Sequence, residues 1–311
     1  MNKLKEFTKS VDLINPIEKY LAKADLNKLS SWERADLLNA AAQLIGAGKQ
    51  NDLKDTDKLC DTFIKRVDEI LASGLDSENV MLGNALYLAK AFTGEDKYET
   101  AAVTLADRFK NMERSPKGFF FTSEGKECLC SAYENLSFYM NYETKNGGKE
   151  HYNDVCAQYN SLAAAFLRER ESSFDVSKIY FTAAAIDTME VMDQALYEIF
   201  GKVRDYYKLA VNDIMENVVN KKSVDEFDNK SAVLLYAYAV LKGCRMKAIH
   251  TEKYENIVDA VVEDAITKIN VIDDETTKSG YVAALTLCMA EAVKNREYQD
   301  YGRTRGGVLW N

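Results

Sequence analysis

The sequence predicts an all-α fold, a single (α/α)6 toroid built from about six helical hairpins. Three observations predict it. A pattern of helix, tight turn, Tyr and second helix recurs along the chain, apolar residues stand three and four positions apart within it, and Pro is scarce. Of the 311 residues, 47% are apolar, 29% are charged and only 2 are Pro, which is typical of a folded and mostly helical protein.

The clearest hairpin spans residues 83–121. Its first helix is an Ala- and Leu-rich run that stops at Gly94, a residue suited to a left-handed helix cap. Its second helix carries Tyr98 and Leu105 on one apolar stripe and ends before Pro116. Neither helix can bury its stripe alone, so the hairpin needs similar neighbours.

The other hairpins follow in chain order. After an N-terminal helix, Ser31 is the expected N-cap of hairpin one, whose first helix should break at Gly46 and Gly48. Its partner helix is predicted over residues 56–71. Each later hairpin should begin its second helix at a Tyr whose ring packs against the first helix. These tyrosines recur every 44 to 54 residues, about the length of one two-helix unit, at positions Tyr98, Tyr152, Tyr206, Tyr254 and Tyr298.

The last hairpin is as apolar as the middle ones, which indicates that it meets the first and closes the ring. We therefore expect one barrel domain over residues 1–311, with the Ala-rich first helices inside and the second helices outside. Residues 1–30 are expected to form an N-terminal helical extension, and residues 302–311 a C-terminal tail. Packing of Trp310 against hairpin one is the alternative for that tail.

The composition argues against several classes of protein. A formal charge of −9 argues against a nucleic-acid partner, and no apolar run approaches the roughly 20 residues of a membrane span. The first residues lack a secretion signal, so we expect a cytoplasmic location. Cys128 and Cys130 have no second ligand pair for a metal, and no cofactor is expected.

Three segments carry a resemblance to a known family. They are LGNALYLAKAFTGEDKYETAAVTLADRF followed by RSPKGFFF, then TAAAIDTMEVM, then SAVLLYAYAVLKGCRM. They resemble glycoside hydrolase families 88 and 105, the unsaturated glucuronyl and rhamnogalacturonyl hydrolases, over roughly Trp32 to Glu291. The resemblance implies an (α/α)6 barrel that binds an oligosaccharide. It also implies a hydrolysis in which an Asp protonates the C4=C5 double bond of an unsaturated uronic acid and water then adds.

The resemblance also implies site residues. The family's acid falls on Ser131, which cannot serve as an acid, and Glu134 is the nearest carboxylate, about one helical turn away. Glu134 is either a relocated general acid or an acidic residue favoured by the helix dipole. Glu78 matches a second acidic position. The implied substrate-binding positions are Asn84, Phe121 in place of a His, Tyr133, Tyr180, Asp228 and Asn229.

Two functions remain open at this point, and with them the question of whether the protein is an enzyme. The first is a carbohydrate hydrolase in which burial raises the pKa of Glu134 or Glu78 so that it acts as the acid. The second is a non-catalytic barrel that keeps the scaffold and binds a glycan or a protein partner. The second function predicts a mouth blocked by residues 119–121. A terpene or peptide cyclase is excluded because its acidic or zinc motif is missing.

Overall fold

A computed structural model describes residues 3–167, 175–193, 196–272 and 278–294. Within these ranges the chain forms thirteen α-helices and no β-strand, and none of those helices has the length and hydrophobicity to cross a bilayer. In chain order they are α1 (Lys3–Thr8), α2 (Ile14–Lys23), α3 (Ser31–Gln50), α4 (Thr56–Ser73), α5 (Leu82–Thr93), α6 (Asp96–Ala106), α7 (Cys130–Lys145), α8 (Tyr152–Leu162), α9 (Val176–Val191), α10 (Tyr197–Met215), α11 (Lys230–Arg245), α12 (Thr251–Thr267) and α13 (Ser279–Val293).

The first helices of the hairpins form a closed inner ring. Helices α3, α5, α7, α9, α11 and α13 each contact the next, and α13 packs along α3 to complete the circle. Their Ala-rich faces allow this close packing; Ala40, Ala41 and Ala42 of α3, for example, are fully buried. The predicted (α/α)6 toroid and its closure between the last and first hairpins are therefore confirmed.

The outer layer consists of the second helices and the two N-terminal helices. Helix α1 contacts α12 and α13, and α2 packs against α4. Helix α1 thus covers α13 on the outside, where the second helix of hairpin six was predicted. The predicted start of that helix, Tyr298, and the tail 302–311 lie outside the described residues.

The recurring tyrosines link neighbouring hairpins. Three of their phenols donate to the preceding outer helix: Tyr98 to Asp68 (3.0 Å), Tyr206 to Asn160 (2.8 Å) and Tyr254 to Asn212 (2.6 Å). Tyr152 instead donates to Thr144 on the first helix of its own hairpin, at 3.0 Å. Tyr206 lies in the middle of α10, not at its start. The tyrosines therefore set the spacing between hairpins more than the angle within one.

Two helix ends differ from the prediction. Ser30, not Ser31, is the N-cap of α3, in a capping box with Glu33. Helix α3 also runs through both of its glycines to Gln50. A Cβ atom at Gly48 would lie 2.6 Å from Thr56 Oγ1, so this glycine allows the start of α4 to approach closely and does not break the helix.

Candidate functional site

A cavity of about 350 Å3 lies on the barrel axis between the six inner helices. Exposure increases along α7, from buried Tyr133, Ser137 and Asn141 to exposed Lys145 in the last turn. On α3 it increases in the same direction. The cavity therefore extends from the middle of the barrel and opens at the C-terminal ends of the inner helices.

Asp36 lies at the buried end of this cavity. The phenol of Tyr133 donates a hydrogen bond of 2.6 Å to Asp36 Oδ1. Burial raises the pKa of Asp36 to about 7, with further raising by the charges of Asp187 and Glu33, against the Tyr133 hydrogen bond that lowers it. Asp36 is therefore a carboxyl group that is partly protonated at neutral pH and can donate a proton into the cavity.

The opposite wall of the cavity, on α9 and α11, carries paired charges. Lys242 is 1% exposed, and its Nζ donates to Asp187 Oδ1 at 2.7 Å and to the Tyr238 hydroxyl at 3.0 Å. It also lies 2.5 Å from Glu190 Oε2. Burial raises the pKa of Asp187, although Lys242 and Tyr238 act to lower it. Asp187 thus accepts hydrogen bonds from a cation and a phenol, whereas Asp36 accepts one from a phenol.

The charged wall continues onto α13, behind the cavity. Arg245 donates to Glu190 at 2.6 Å and to Glu291 at 2.6 Å and 3.0 Å. Lys294, on the rim, donates to Glu291 at 2.8 Å. Although burial acts to raise it, the cations Lys242 and Arg245 hold the pKa of Glu190 well below its ordinary value. The acids and bases of this wall therefore neutralise one another.

Between Asp36 at the buried end and Lys145 at the exposed end, the wall formed by α3, α5 and α7 carries uncharged polar side chains, and we call it the neutral wall. Asn141 Nδ2 donates to Asn84 Oδ1 at 2.8 Å, and Asn84 Nδ2 donates to Ser137 Oγ at 3.1 Å. Asn39 Nδ2 donates to the carbonyl of Met81 at 3.1 Å. The Asn39 Oδ1 atom is buried and has no hydrogen-bond partner among the described residues. This wall offers amide and hydroxyl groups to a ligand.

The first predicted acid, Glu134, is bound by structural groups near the N-terminal end of α7. Its Oε2 accepts hydrogen bonds from Asn79 Nδ2 at 3.1 Å and from the backbone N–H of Ser123 at 2.7 Å. Burial raises the pKa of Glu134, while these hydrogen bonds lower it. Glu134 does not line the axial cavity.

The second predicted acid, Glu78, forms a bidentate ion pair with Arg34. Arg34 Nη2 lies 2.6 Å from Glu78 Oε1, and its Nε lies 3.2 Å from Oε2. Arg34 also donates to the carbonyls of Leu26 and Leu29, so it ties the N-terminal segment to the loop before α5. Both side chains are largely buried, and this pair links segments of the fold rather than facing the cavity.

The predicted aromatic positions gather at the N-terminal ends of the inner helices. The ring of Tyr180 lies 5.2 Å from that of Tyr133 and 6.3 Å from that of Trp32. Phe121 is half-buried, and its carbonyl accepts a hydrogen bond from Asn135 at 3.3 Å. Of these residues only Tyr133 also lines the axial cavity.

The last two predicted positions, Asp228 and Asn229, line a separate depression of about 610 Å3 beside the N-terminal end of α11. Asn229 Oδ1 accepts from the N–H of Ala232 at 3.0 Å and so caps this helix. The structure therefore brings Tyr133 and Asn84 together in the axial cavity and distributes the other six predicted residues elsewhere.

Metal binding finds no support in the described ranges, where no cluster of three or more His, Cys, Asp or Glu side chains could hold an ion.

Three solved structures superpose on most of this chain. A family 105 glycoside hydrolase from C. acetobutylicum ATCC 824 is 16% identical, with a TM-score of 0.67 over 88% of this chain and 98% of that one. A possible GH105 member from Klebsiella pneumoniae subsp. pneumoniae MGH 78578 is 14% identical, with a TM-score of 0.70 over 93% of each chain. Another, from Salmonella enterica subsp. enterica serovar Paratyphi A str. ATCC 9150, is 12% identical, with a TM-score of 0.71 over 93% of this chain and 94% of that one. The chain has the fold of these family 105 structures.

The likeness to family 105 confirms the resemblance in fold and carries no chemistry by itself. No protein-family model matches the sequence, and no protein of curated function matches it at a significant level. In this family 105 fold, the position that the resemblance assigns to the acid is Ser131, which is 2% exposed. The acidic side chains that line the axial cavity are instead Asp36 on α3 and Asp187 and Glu190 on α9.

The sequence reasoning missed Asp36, Asp187 and Lys242. A signal was present, since each stands inside an Ala- or Leu-rich inner helix, as in ADLLNAAA around Asp36. A charged residue in such a run is rarely buried without a partner or a function. The three- and four-residue spacing of the apolar residues in these helices predicts an apolar stripe and does not show that the charges between them are buried.

Proposed function

We propose that this chain is a glycoside hydrolase-like enzyme that processes a carbohydrate in its axial cavity, with Asp36 as the general acid. The observation that carries the proposal is the position of Asp36, a buried carboxyl in a cavity, with a pKa raised to about 7. A general acid works best when its pKa lies near the working pH. Its hydrogen-bond partner Tyr133 is a neutral phenol, which leaves the carboxyl free to carry a proton.

Asp187 supplies the second carboxylate of the proposed site. It lies in the same cavity, near enough for its charge to raise the pKa of Asp36. Lys242 and Tyr238 stabilise its ionised form. Acid–base hydrolysis requires a proton donor and a proton acceptor in one cavity, and Asp36 and Asp187 would fill these two roles.

The proposed substrate is an oligosaccharide that ends in an unsaturated uronic acid, the class that the resemblance implies. Asp36 would donate its proton to the C4=C5 double bond, and Asp187 would accept a proton from the water that adds. In this account Glu134 and Glu78 are structural residues, because Asn79 and Ser123 hold the first and Arg34 holds the second.

The experiment follows the ultraviolet absorbance of the conjugated double bond in unsaturated glucuronyl disaccharides. Wild-type turnover should fall about 100-fold or more in Asp36→Asn, the usual effect of removing a general acid. It should change little in Glu134→Gln. Turnover lost in Glu134→Gln and retained in Asp36→Asn would assign the acid to Glu134 and contradict the proposal.

A second candidate function is a non-catalytic barrel that binds a glycan or a protein partner. The observation that favours it is Ser131, a buried hydroxyl at the position that the resemblance gives to the acid. Disaccharide binding by the wild type without turnover would support this function and refute the enzyme.

A further inference from the structure

The entrance of the axial cavity lies at the C-terminal ends of the inner helices. Gln50, Ala91 and Lys145, in the last turns of α3, α5 and α7, line the cavity and are exposed. The site residues expected from the sequence lie mainly at the other end, in and before the first turns of α7, α9 and α11. The cavity and the expected mouth are therefore at opposite ends of the barrel.

The inner end of the cavity is closed by packed side chains. Asp36 and Tyr133 form its floor and are almost fully buried. Behind them, the ring of Tyr180 packs 5.2 Å from Tyr133 and 6.3 Å from Trp32. These rings pack against the floor on the side away from the entrance.

The neutral wall has hydrogen-bonding capacity that the protein itself does not use. Buried polar atoms are nearly always paired, yet Asn39 Oδ1 has no partner in the described part of the chain. Asn84, Ser137 and Asn141 bond to one another in a row, and each retains a further donor or acceptor. A ligand must donate a hydrogen bond to Asn39 Oδ1. Asn84, Ser137 and Asn141 can form further hydrogen bonds with ligand groups that both donate and accept. Hydroxyl groups meet both requirements.

The charges on the α9 and α11 wall are paired with one another, so this wall does not require a charged ligand. The carboxylates of Asp187 and Glu190 are already matched by Lys242 and Arg245. The volume, about 350 Å3, is at the small end of the range for ligand pockets.

We infer that the cavity is a binding site for a small polyhydroxylated ligand, one or two sugar rings in size, which enters at the C-terminal ends of the inner helices and is held by the amides of Asn39, Asn84 and Asn141. This inference rests on the proposed function for the carbohydrate nature of the ligand. It does not depend on the identity of the acid.

The test compares two tryptophan variants at exposed positions. Ala91→Trp places an indole at the C-terminal entrance, and the matched control Ser123→Trp places one at the opposite end. Binding of an unsaturated glucuronyl disaccharide and of cellobiose is measured by calorimetry, with circular dichroism and thermal melting to verify folding. All variants are built on Asp36→Asn so that turnover of the first probe is slow during the binding measurement.

The expected result is binding of at least one probe by the Asp36→Asn protein, lost in Ala91→Trp and retained in Ser123→Trp. Adding Asn39→Leu should weaken binding about tenfold, the effect of losing one hydrogen bond to a buried partner. Loss of binding only in Ser123→Trp, or no binding of either probe, would overturn the inference. Turnover of the wild type decides the proposed function separately, so the two failures are distinguishable.

Discussion

The hydroxyl of Tyr133 on α7 donates a 2.6 Å hydrogen bond to Asp36 on α3, joining two inner helices at the closed end of the axial cavity. This hydrogen bond stabilises the ionised form of a carboxyl that burial otherwise keeps protonated. The pair therefore sets the pH at which the proposed acid loses its proton.

Tyr133→Phe should raise the pKa of Asp36 above its value of about 7, because the phenol is the hydrogen-bond donor that lowers it. Carbon-13 NMR titration of the aspartate carboxyls checks this, with the Asp36 resonance assigned by its absence in Asp36→Asn. Tyr87→Phe is the matched control, since that cavity phenol donates to Asn146 instead. A wild-type Asp36 that titrates near 4 would contradict the assignment.

The free energy of unfolding of Asp36→Asn, relative to that of the wild type, should increase as the pH rises. The folded-state pKa of about 7 exceeds the ordinary value of 3.8, so the folded wild type binds more protons between these values. The contribution of Asp36 to wild-type stability should therefore fall between about pH 4 and pH 7, by about 4 kcal/mol in total at about 1.4 kcal/mol per pH unit. Asn does not titrate and escapes this loss.

Denaturant unfolding of the wild type and Asp36→Asn at acidic and mildly alkaline pH measures this difference. The variant should gain stability relative to the wild type on going from the acidic to the alkaline condition. A difference that does not change with pH would show that Asp36 titrates normally in the folded protein.

Glu78→Gln should destabilise the fold by about 3 kcal/mol, because it leaves the largely buried Arg34 guanidinium without its carboxylate. The matched control is Glu95→Gln, which breaks an exposed pair with Lys97 and should cost less than about 1 kcal/mol. Chemical denaturation measures both. If Glu78→Gln were as mild as Glu95→Gln, Glu78 would be free for another role.

Lys242→Met should destabilise the protein by about 3 kcal/mol or more at neutral pH, because Asp187 and Glu190 lose the cation between them. The loss should shrink in acid, where these carboxylates can take up protons. Lys230→Met, which breaks an exposed pair with Asp225, is the control. Unfolding of both variants at two pH values checks the prediction, and a Lys242→Met loss independent of pH would argue against the charge pairing.

The fold could be predicted from the sequence because each hairpin carries its own local signals. Gly94 ends α5 in the left-handed conformation that its position indicated, and the recurring tyrosines revealed the repeat. Gly48 misled the prediction because its role is close packing against Thr56, a contact that is invisible along the chain.

The site could not be predicted in the same way because it is assembled from distant segments. Asp36 meets Tyr133 only after 97 further residues have folded into the ring. Lys242 is similarly separated from Asp187, by 55 residues. The resemblance directed attention to Ser131 and Glu134, whereas the cavity is defined by charges hidden within Ala- and Leu-rich helices.

The central claim, that Asp36 is the acid of a catalytic cavity, is tested most directly by the pH dependence of kcat/KM on an unsaturated glucuronyl disaccharide. A general acid must be protonated, so wild-type kcat/KM should fall as the pH rises through the Asp36 pKa of about 7. This decrease in kcat/KM should be absent from the residual activity of Asp36→Asn and present in Glu134→Gln. A wild-type kcat/KM that does not change with pH around 7 would contradict the account. So would a decrease that is lost in Glu134→Gln and kept in Asp36→Asn.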